Sequence, residues 1–599
     1  MTTAAALALV ARYSSNSPYA DEWPWLDVVV GDRPFDSAWL LEPENHHRVP
    51  LTKLLYIGLA RLTNYDFRAG AVANVLVLSG ASLGLLWAVR RARGETRLSD
   101  VVIPIALLHL GHWYNLIWGH QLFFAMAAAL MCAAIGIIIN TRGPETALRN
   151  GLLVALACAV LIGCGGPGVC FLPALALWLA VAGLTLARSN RPGCYWSGGI
   201  LLAAAAGCLA LVIVYFAGNR PTEGLPDAPA AGIDAARLWA TMRGTLQVLS
   251  ISAGRLGQDT WPASGIIVAG LILAALAMLA IVWRRSPEER LRAAGLACAI
   301  ASVVTVALGV GWSRGTIDPT YCLTARYSLL SCPLVVALYG VFVLYGREPR
   351  WHVAEAATAG IAVVIGMAYV SSGIHQSQEI RARVARMELL VADGLSPSTI
   401  GTRSAWDMQD EERSLARHLE QMCAVRIGPY RHGSVPVATV DAEVHRLAQQ
   451  HAAEAKRTKA TISPTRPWVQ DLALAPGQRV FRIDLRVRNR LHRAPLPEQL
   501  GWKIVKRNAA GAEFELATGT CDLECLPDPM FAVLRFAAIT AEPKCHYELV
   551  VVRSDKWRLP FELPVFAADA TCPTSELDGY VYVLREETPI VATAGRTAK

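Results

Sequence analysis

The chain has 599 residues, of which 53% are hydrophobic and 17% are charged, and its mean hydropathy is +0.35. Soluble proteins carry about 25% charged residues, so this composition excludes an ordinary soluble protein of the same length. The net charge is only +8, and the basic residues lie mainly in short loops, which indicates membrane topology and not nucleic-acid binding.

A short apolar segment and a polar loop begin the chain. Residues 1–12 are apolar but too short to cross a membrane, so the first helix either starts before Met1 or enters at an angle. The loop 13–68 follows and forms the first outer loop of the predicted topology. Within it, residues 51–63 place Lys53 and Arg61 among apolar residues at helical spacing, which predicts a helix lying along the membrane surface.

Apolar runs then recur as far as about residue 371, and most are long enough to cross the hydrocarbon core as helices. With the first segment they predict a polytopic α-helical membrane domain, residues 1–371, with about eleven transmembrane helices. The ten later spans are predicted at about 69–89, 100–111, 119–139, 149–163, 167–187, 196–216, 264–283, 292–312, 327–345 and 353–371.

Charge in the connecting loops alternates along this domain. Basic residues recur in the loops 90–97, 141–149, 188–191, 283–292 and 347–350. By the positive-inside rule these five loops face the cytoplasm. The first outer loop, the loops 217–262 and 312–326 and the C-terminal domain then lie outside, as in a multi-pass protein of the plasma membrane, the inner membrane in bacteria.

After residue 371 the composition becomes that of a soluble domain. Residues 372–478 are predicted to be a charged helical segment outside the cytoplasm, and residues 479–599 a β-rich extracytoplasmic domain. Together they form an α+β domain that ends in a β-sandwich-like part. Alternating apolar residues predict strands at 480–488, with a bulge near Phe481, and at 531–536, 546–553 and 579–584.

Nine of the 14 cysteines lie in the predicted membrane domain, mostly inside apolar runs, where a cysteine behaves as a small hydrophobic residue. A zinc site would need a second closely spaced pair beside Cys521 and Cys525. Outside the cytoplasm, one or two disulfides are favoured over free thiols, with the pairing open. The cysteines concerned are Cys423, Cys521, Cys525, Cys545 and Cys572.

The first outer loop carries the most conspicuous polar cluster. Asp21 and Glu22 lie between aromatic residues that include Trp23, and a second polar stretch contains Glu44, His46, His47 and Arg48. A carboxylate held there can act as a general base, aromatic rings can stack on sugars, and an arginine can bind phosphate. The alternative is a solvated loop whose aromatic residues anchor at the membrane surface.

Two further patches lie at the predicted outer ends of the spans. The first contains Trp113, Asn115, Trp118, His120 and Gln121, which either line a cavity or form hydrogen bonds between helices. The second contains Arg314, Arg326 and Tyr327. These arginines lie against the positive-inside trend, so they either pair with an anion or act as snorkelling anchors.

This ordered set of motifs resembles the GT-C glycosyltransferases, which take a sugar from a polyprenyl-phosphate carrier on the outer face of a membrane. The resemblance rests on the Asp21-Glu22 pair, the stretch 47–50, the outer patch 113–121, the pair Arg326-Tyr327 and the number of spans. It covers residues 1 to about 371. The chain departs from the family in its short first span and in having His-Arg-Val-Pro where some members have Lys-Pro-Pro.

The resemblance implies a polytopic glycosyltransferase with a polyprenyl-phosphate sugar as donor and a glycan, lipid or protein as acceptor. Asp21 or Glu22 would be the catalytic base, and the residues that bind the donor phosphate would be Arg326, Arg314, Arg48 and Tyr327. Contacts to the substrates would come from Trp23, Glu44, His46, His47, Trp113, Asn115, Trp118, His120 and Gln121. The sequence requires no cofactor, and the resemblance allows a divalent cation.

Two other classes of protein use similar residues. A transporter or flippase for a lipid-linked or anionic solute would use the same arginines without breaking a bond, but the chain shows no repeated halves. A non-catalytic envelope scaffold would bind glycan through its C-terminal domain. Only a glycosyltransferase requires one of the two acids for turnover.

Overall fold

A computed structural model describes the backbone of most of the chain, in which helices predominate. The chain divides into two compact units, residues 1–389 with 403–433 and residues 390–402 with 434–599. The described residues are 1–44, 47–189, 194–217, 234–346, 350–392, 397–431, 456–462, 468–472, 476, 479–487, 499–522, 530–553, 561–567 and 579–584.

The helices follow the apolar runs of the sequence, separated by short loops and single 3₁₀ turns. Their bounds are α1 Thr2–Tyr13, α2 Leu26–Val30, α3 Ser37–Leu41, α4 Pro50–Leu62, α5 Arg68–Arg93, α6 Val102–Leu108, α7 Trp113–Ile117, α8 Leu122–Ile139, α9 Gly143–Leu161, α10 Gly165–Ala187, α11 Cys194–Ala217, α12 Ala235–Ser250, α13 Arg255–Asp259, α14 Ala263–Arg285, α15 Arg290–Arg314, α16 Ser328–Tyr345, α17 Arg350–Ala392, α18 Pro397–Met408 and α19 Glu412–Val425.

Seven helical stretches within the described residues are long and apolar enough to cross a membrane, which supports the predicted membrane protein but not the predicted count of eleven spans. One of the seven, Glu145–Ala187, contains both α9 and α10, which pack against each other after a break at Gly165. The stretches are Arg68–Arg93, Gly119–Ile139, Glu145–Ala187, Cys194–Ala217, Ala263–Arg285, Pro287–Arg314 and Ala325–Tyr345.

The predicted span 100–111 is not one continuous helix. Helix α6 covers only Val102–Leu108, and irregular turns follow it. The buried ring of His112 forms hydrogen bonds with Ser328 Oγ (2.8 Å) and with the carbonyl oxygen of Ala106 (2.9 Å). Non-helical backbone within a membrane domain is tolerated where neighbouring protein satisfies its polar groups. Here the ring of His112 supplies a partner to one backbone group, the carbonyl oxygen of Ala106 in the last turn of α6.

Helix α17 continues through the predicted domain boundary at residue 371. It has 43 residues, so it is about 65 Å long at 1.5 Å per residue, roughly twice the thickness of the hydrocarbon core. The change in composition at 371 therefore does not coincide with a change in secondary structure. The described residues 403–431, which include α19, belong to the same compact unit as the membrane helices.

Polar loops that the topology predicts on one side of the membrane lie together at one end of the helices. Near the start of α5, Asn74 Nδ2 donates hydrogen bonds to the carbonyl oxygens of Asn115 (2.8 Å) and Trp118 (2.9 Å). Near its end, Arg142 donates a hydrogen bond to the carbonyl oxygen of Ala92 (2.8 Å). The outer patch and the basic loops thus lie at opposite ends of α5.

The second unit contains antiparallel strands, and the strands predicted near 480, 531, 546 and 579 are all present. Both partners of β3 shift register between Val480 and Arg482, which confirms the predicted bulge. The described strands form three sheets with the orders β1-β8, β2-β7-β4-β5 and β6-β3-β9. The strands are β1 Lys456–Ile462, β2 Trp468–Leu472, β3 Arg479–Val487, β4 Gln499–Arg507, β5 Glu513–Asp522, β6 Met530–Thr540, β7 His546–Arg553, β8 Phe561–Ala567 and β9 Gly579–Leu584.

Strands begin at Lys456, earlier than the predicted start at 479. Strand β1 reads Lys-Arg-Thr-Lys-Ala-Thr-Ile, so its charged residues hide the apolar alternation that marks a strand. The predicted helix at 441–449 lies outside the described residues. Of the cysteines considered for disulfides, Cys423 and Cys545 are free thiols, and the side chains of the other three lie outside the described part.

A close backbone approach at the start of α5 gives a test of this packing. A Cβ added to Gly70 would lie 2.8 Å from Gly119 Cα, which is too close for ordinary contact. We expect Gly70→Ala to lower the free energy of unfolding by about 1–3 kcal/mol, because overpacking forces the backbone apart. Gly80→Ala is the matched control, because its Cβ would meet nothing within 4 Å. Equal thermal unfolding midpoints for both variants in detergent would contradict this packing.

Candidate active site

The acidic pair lies in a short 3₁₀ helix, Ala20–Trp25. Glu22 begins this helix by accepting a hydrogen bond from the backbone N–H of Tyr19 onto Oε2 (3.0 Å). Ala20, just before the pair, has a left-handed backbone with a φ of +50°, which costs about 1 kcal/mol for a residue with a side chain. Such an outlier persists only where the surrounding structure holds it, and Ala20 is itself buried.

Glu22 points into the protein and is 4% exposed. Its Oε1 accepts a hydrogen bond from the backbone N–H of His120 (2.9 Å), across 98 residues of sequence. Burial raises the pKa of Glu22 to about 8, and the two backbone N–H donors only partly oppose this effect. Glu22 therefore connects the first outer loop to the outer patch, where it lines a small cavity of about 30 Å³ together with Trp113 and Tyr114.

Asp21 has the opposite orientation. Its side chain is 38% exposed, and its Oδ2 lies 4.0 Å from Nδ1 of His120. The two adjacent acids thus meet the same histidine, Glu22 at the backbone and Asp21 at the ring. Only Asp21 combines this contact with access to the exterior of the loop.

Aromatic rings surround the histidine that both acids contact. The ring of His120 lies 4.8 Å from that of Trp25 and is stacked on that of Trp118, with 5.1 Å between the centroids. Trp118 Nε1 donates a hydrogen bond to the carbonyl oxygen of Tyr19 (3.0 Å), and the two rings meet edge to face. These rings exclude water from one side of the acidic pair.

A buried ion pair between helix α4 and the stretch 39–44 stabilises the first outer loop. Lys53 on α4 is 2% exposed, and its Nζ donates hydrogen bonds to the carbonyl oxygens of Trp39 and Glu42 (both 3.1 Å). The same Nζ lies 3.8 Å from Oε2 of Glu44, which also accepts a hydrogen bond from Trp25 Nε1. Burial raises the pKa of Glu44 to about 7.

This position of Lys53 corrects the prediction that it lies at the membrane surface. Helix α4 forms as predicted, but Lys53 is on its buried face with Tyr56 and Ala60, at spacings of three and seven residues. A lysine on that face has to find an anion, and Glu44 is the nearby carboxylate. The spacing was visible in the sequence, whereas the partner was not.

Arg326 lies in an aromatic setting at the start of α16. Its guanidinium donates hydrogen bonds to the hydroxyl groups of Tyr321 (2.8 Å) and Tyr327 (3.0 Å) and lies over both rings. The Nε atom of Arg326 is buried and has no hydrogen-bond partner within the described residues. A cavity of about 590 Å³ adjoins it, lined in part by Trp113 and Tyr114.

The outer patch connects this cavity to the acidic pair. Tyr114 lines the cavity and meets the ring of Trp118 edge to face, at 5.1 Å between the centroids. Asn115 Nδ2 donates a hydrogen bond to the carbonyl oxygen of Arg326 (3.2 Å), and Gln121 is buried beside them on the same segment. Tyr114 and Tyr321 were missed from the sequence, where each is simply an aromatic residue near a membrane surface.

Other predicted residues lie in different surroundings. The backbone N–H of Arg48 donates a hydrogen bond to the hydroxyl of Tyr215 (3.3 Å), and His47 lies against the glycines that begin α10. Arg314 ends α15 and is half-buried. His46 lies outside the described residues. The cavity beside Arg326 is lined by neither Arg48 nor Arg314.

Trp23 does not suit its predicted contact with a substrate, because it is completely buried. Its ring is stacked on the ring of His418 from α19, with 5.7 Å between the centroids. Two hydrogen bonds also join the first outer loop to helices α17 and α19. Arg417 donates a hydrogen bond to Asp27 (2.7 Å), and Ser15 donates one to Glu388 on α17 (2.6 Å). Described residues of α17 and α19 thus cover the first outer loop.

The described residues contain no group of three or more His, Cys, Asp or Glu side chains that could hold a metal ion.

The helices and this site define a polytopic membrane protein with a polar, aromatic-lined centre at one end of its helices. No protein-family model matches the chain, and no curated protein matches it. Among solved structures, the chain is similar to ArnT from Cupriavidus metallidurans in the apo state, at 15% identity and a TM-score of 0.35. The likeness covers 78% of this chain and 80% of that one.

The buried state of Glu22 predicts a pH effect on stability. A folded-state pKa near 8, above the ordinary value of 4.5, means that the folded protein keeps a proton that the unfolded chain loses. Glu22 therefore makes the protein less stable as the pH rises from about 5 to 8, with a slope of at most about 1.4 kcal/mol per pH unit. We expect Glu22→Gln to flatten this decline in thermal unfolding measured across that range. The exposed Glu95→Gln is the control, and an unchanged slope in Glu22→Gln would contradict the burial of a neutral carboxyl group.

Proposed function

We propose that the chain is a membrane glycosyltransferase that takes a sugar from a polyprenyl-phosphate donor and transfers it to a glycan, lipid or protein acceptor outside the cytoplasm. One observation carries the proposal. The segment 113–120 touches the exposed acid Asp21 through His120 and the cavity-lining Arg326 through Asn115. A base for the acceptor and a cation for the leaving phosphate would thus lie on either side of one aromatic patch.

The surroundings of Arg326 support a phosphate site. A guanidinium binds phosphate oxygens through paired N–H groups, and here one of its nitrogens has no hydrogen-bond partner within the described residues. The first turn of α16 follows at Ser328, and the N-terminus of a helix favours an anion. The adjoining cavity of about 590 Å³ falls in the range of small-molecule sites.

The proposed reaction needs little covalent chemistry from the protein. Asp21 accepts the proton of the acceptor hydroxyl while the oxygen of that hydroxyl attacks the anomeric carbon of the sugar. The bond between that carbon and the phosphate oxygen breaks, and the electron pair leaves with the polyprenyl phosphate. Arg326 stabilises the negative charge that develops on the phosphate. Because the carrier is already a good leaving group, positioning supplies much of the rate enhancement.

In this proposal Glu22 is a positioning residue and Asp21 the base. The burial of Glu22 and its two backbone hydrogen bonds support this division, as does the exposure of Asp21. The donor phosphate is assigned to Arg326 with Tyr327 and Tyr321, whereas Arg48 and Arg314 line neither side of the cavity. The C-terminal β-rich region would lie outside the cytoplasm, following the topology of the basic loops.

Carrier release by purified protein in lipid vesicles tests this function. Radiolabelled polyprenyl-phosphate sugars are supplied with an envelope extract as acceptor. We expect Asp21→Asn to lower turnover by about 10²–10⁴-fold with donor binding retained, because only the base is lost. Asp32→Asn, an exposed acid of the same loop, is the matched control. Equal turnover in these two variants would contradict a catalytic Asp21.

Donor binding tests the phosphate site separately. We expect Arg326→Ala to weaken donor binding by about 10–100-fold, because charge-assisted hydrogen bonds are lost. Arg326→Lys should fall between this variant and the wild type, since lysine keeps the charge but not the paired geometry. Donor that binds to the wild-type protein and crosses the vesicle membrane without carrier release would instead favour a transporter.

A further inference from the structure

The proposed roles of the acidic pair and of Arg326 leave the ring of His120 without a role in the site. Its side chain is 8% exposed, and its Nδ1 atom is buried without a hydrogen-bond partner within the described residues. The carboxylate oxygen Oδ2 of Asp21 lies 4.0 Å from that nitrogen. A buried polar atom that lacks a hydrogen bond costs about 1–3 kcal/mol, so an arrangement that leaves one next to a carboxylate needs an explanation.

The rest of the residue is held firmly. Its backbone N–H donates to Glu22, and its ring is confined by Trp25, Trp118 and the edge of Phe123 at 5.3 Å. These neighbours hold the plane of the ring, with Nδ1 on the side of Asp21. A fixed donor facing an exposed carboxylate is the arrangement by which an acid is oriented for catalysis.

The adjacent acids fix the position of the His120 ring relative to Asp21. Glu22 fixes the backbone of His120, and Asp21 is the residue that directly precedes Glu22 in the chain. The position of the ring relative to Asp21 is thus determined by two hydrogen bonds of Glu22, to Tyr19 and to His120. Distances of this kind are often long without substrate and shorten in the reactive complex.

We propose that His120 is a positioning residue that holds the carboxylate of Asp21 through Nδ1–H, so that Asp21 faces the acceptor hydroxyl. The catalytic role of this contact rests on the proposed function, whereas the contact between His120 and Asp21 is independent of it. The proton of the acceptor still goes to Asp21, and His120 neither gains nor loses a proton. Around the ring, Glu22 accepts the backbone N–H of His120, Lys53 contributes a positive charge, and Glu44 is bonded to the neighbouring Trp25. The carboxylate of Asp21 lies 4.0 Å from Nδ1.

The first experiment needs no turnover. Thermal unfolding midpoints are measured in detergent at pH 7 for Asp21→Asn, for His120→Phe and for the double variant. Residues in contact give non-additive effects, so the shift of the double variant should differ from the sum of the single shifts by about 1 °C or more. Additive shifts would overturn the proposal. Because this cycle is independent of activity, a failure of the proposed function would not change its outcome.

The second experiment measures the pH dependence of carrier release. His120→Phe keeps the ring packing but removes the N–H, and we expect kcat to fall about 10–100-fold with KM for the donor unchanged. Its acidic limb of kcat/KM should move to higher pH, because a carboxylate without its donor is more easily protonated. His120→Asn places an amide N–H where Nδ1 lies and should restore most of both properties. Phe123→Leu alters the packing of the ring alone and should leave the limb in place.

The outcomes distinguish the positioning role of His120 from the proposed glycosyl transfer. Loss of rate in His120→Phe with an unmoved acidic limb, or equal loss in His120→Asn and His120→Phe, would make His120 a packing residue and overturn the proposal. A moved limb that His120→Asn restores supports it. If the wild-type protein releases no carrier from any donor while the stability cycle is non-additive, the positioning contact stands and the proposed reaction fails.

Discussion

Glu22 joins two parts of the chain that lie 98 residues apart, and the geometry of the site depends on this contact. One carboxylate oxygen begins the 3₁₀ helix of the first outer loop, and the other accepts the backbone N–H of His120. Burial keeps this carboxyl group neutral over much of the physiological range, so it can bridge two backbone segments without bringing a charge into the protein. Its neighbour Asp21 is thereby left as the acid that faces outward.

The remaining polar groups are arranged so that few charges are buried without a partner. Lys53 is almost fully buried, but carbonyl oxygens and Glu44 surround its ammonium group. Arg326 is embedded among tyrosine rings and hydroxyl groups that can accept its hydrogen bonds without neutralising its charge. Arg326 has no carboxylate partner among the residues that the structure describes. Such a cation can respond to an anionic ligand, whereas one paired with a carboxylate cannot do so as readily.

Patterns that depend on neighbouring residues were predictable from the sequence. The apolar helices, the strands near the C-terminus and the bulge at Phe481 follow from periodicity, and the meeting of the outer loops follows from the charges of the connecting loops. Features that depend on distant partners were not. The separate surroundings of Asp21 and Glu22 require the backbone of His120, the burial of Lys53 requires Glu44, and the break near residue 109 requires polar partners from α16.

A structure with a bound donor analogue tests the central claim most directly. The protein would be imaged by electron microscopy in lipid nanodiscs with a polyprenyl-phosphonate sugar that cannot be cleaved. The account predicts that the phosphonate lies within hydrogen-bond distance of the guanidinium of Arg326, with the sugar in the adjoining cavity. The carboxylate of Asp21 should face the space beside the anomeric carbon from which the acceptor hydroxyl attacks. A phosphonate bound beside Arg48 and Tyr215, or an Asp21 carboxylate turned away from the sugar, would contradict it.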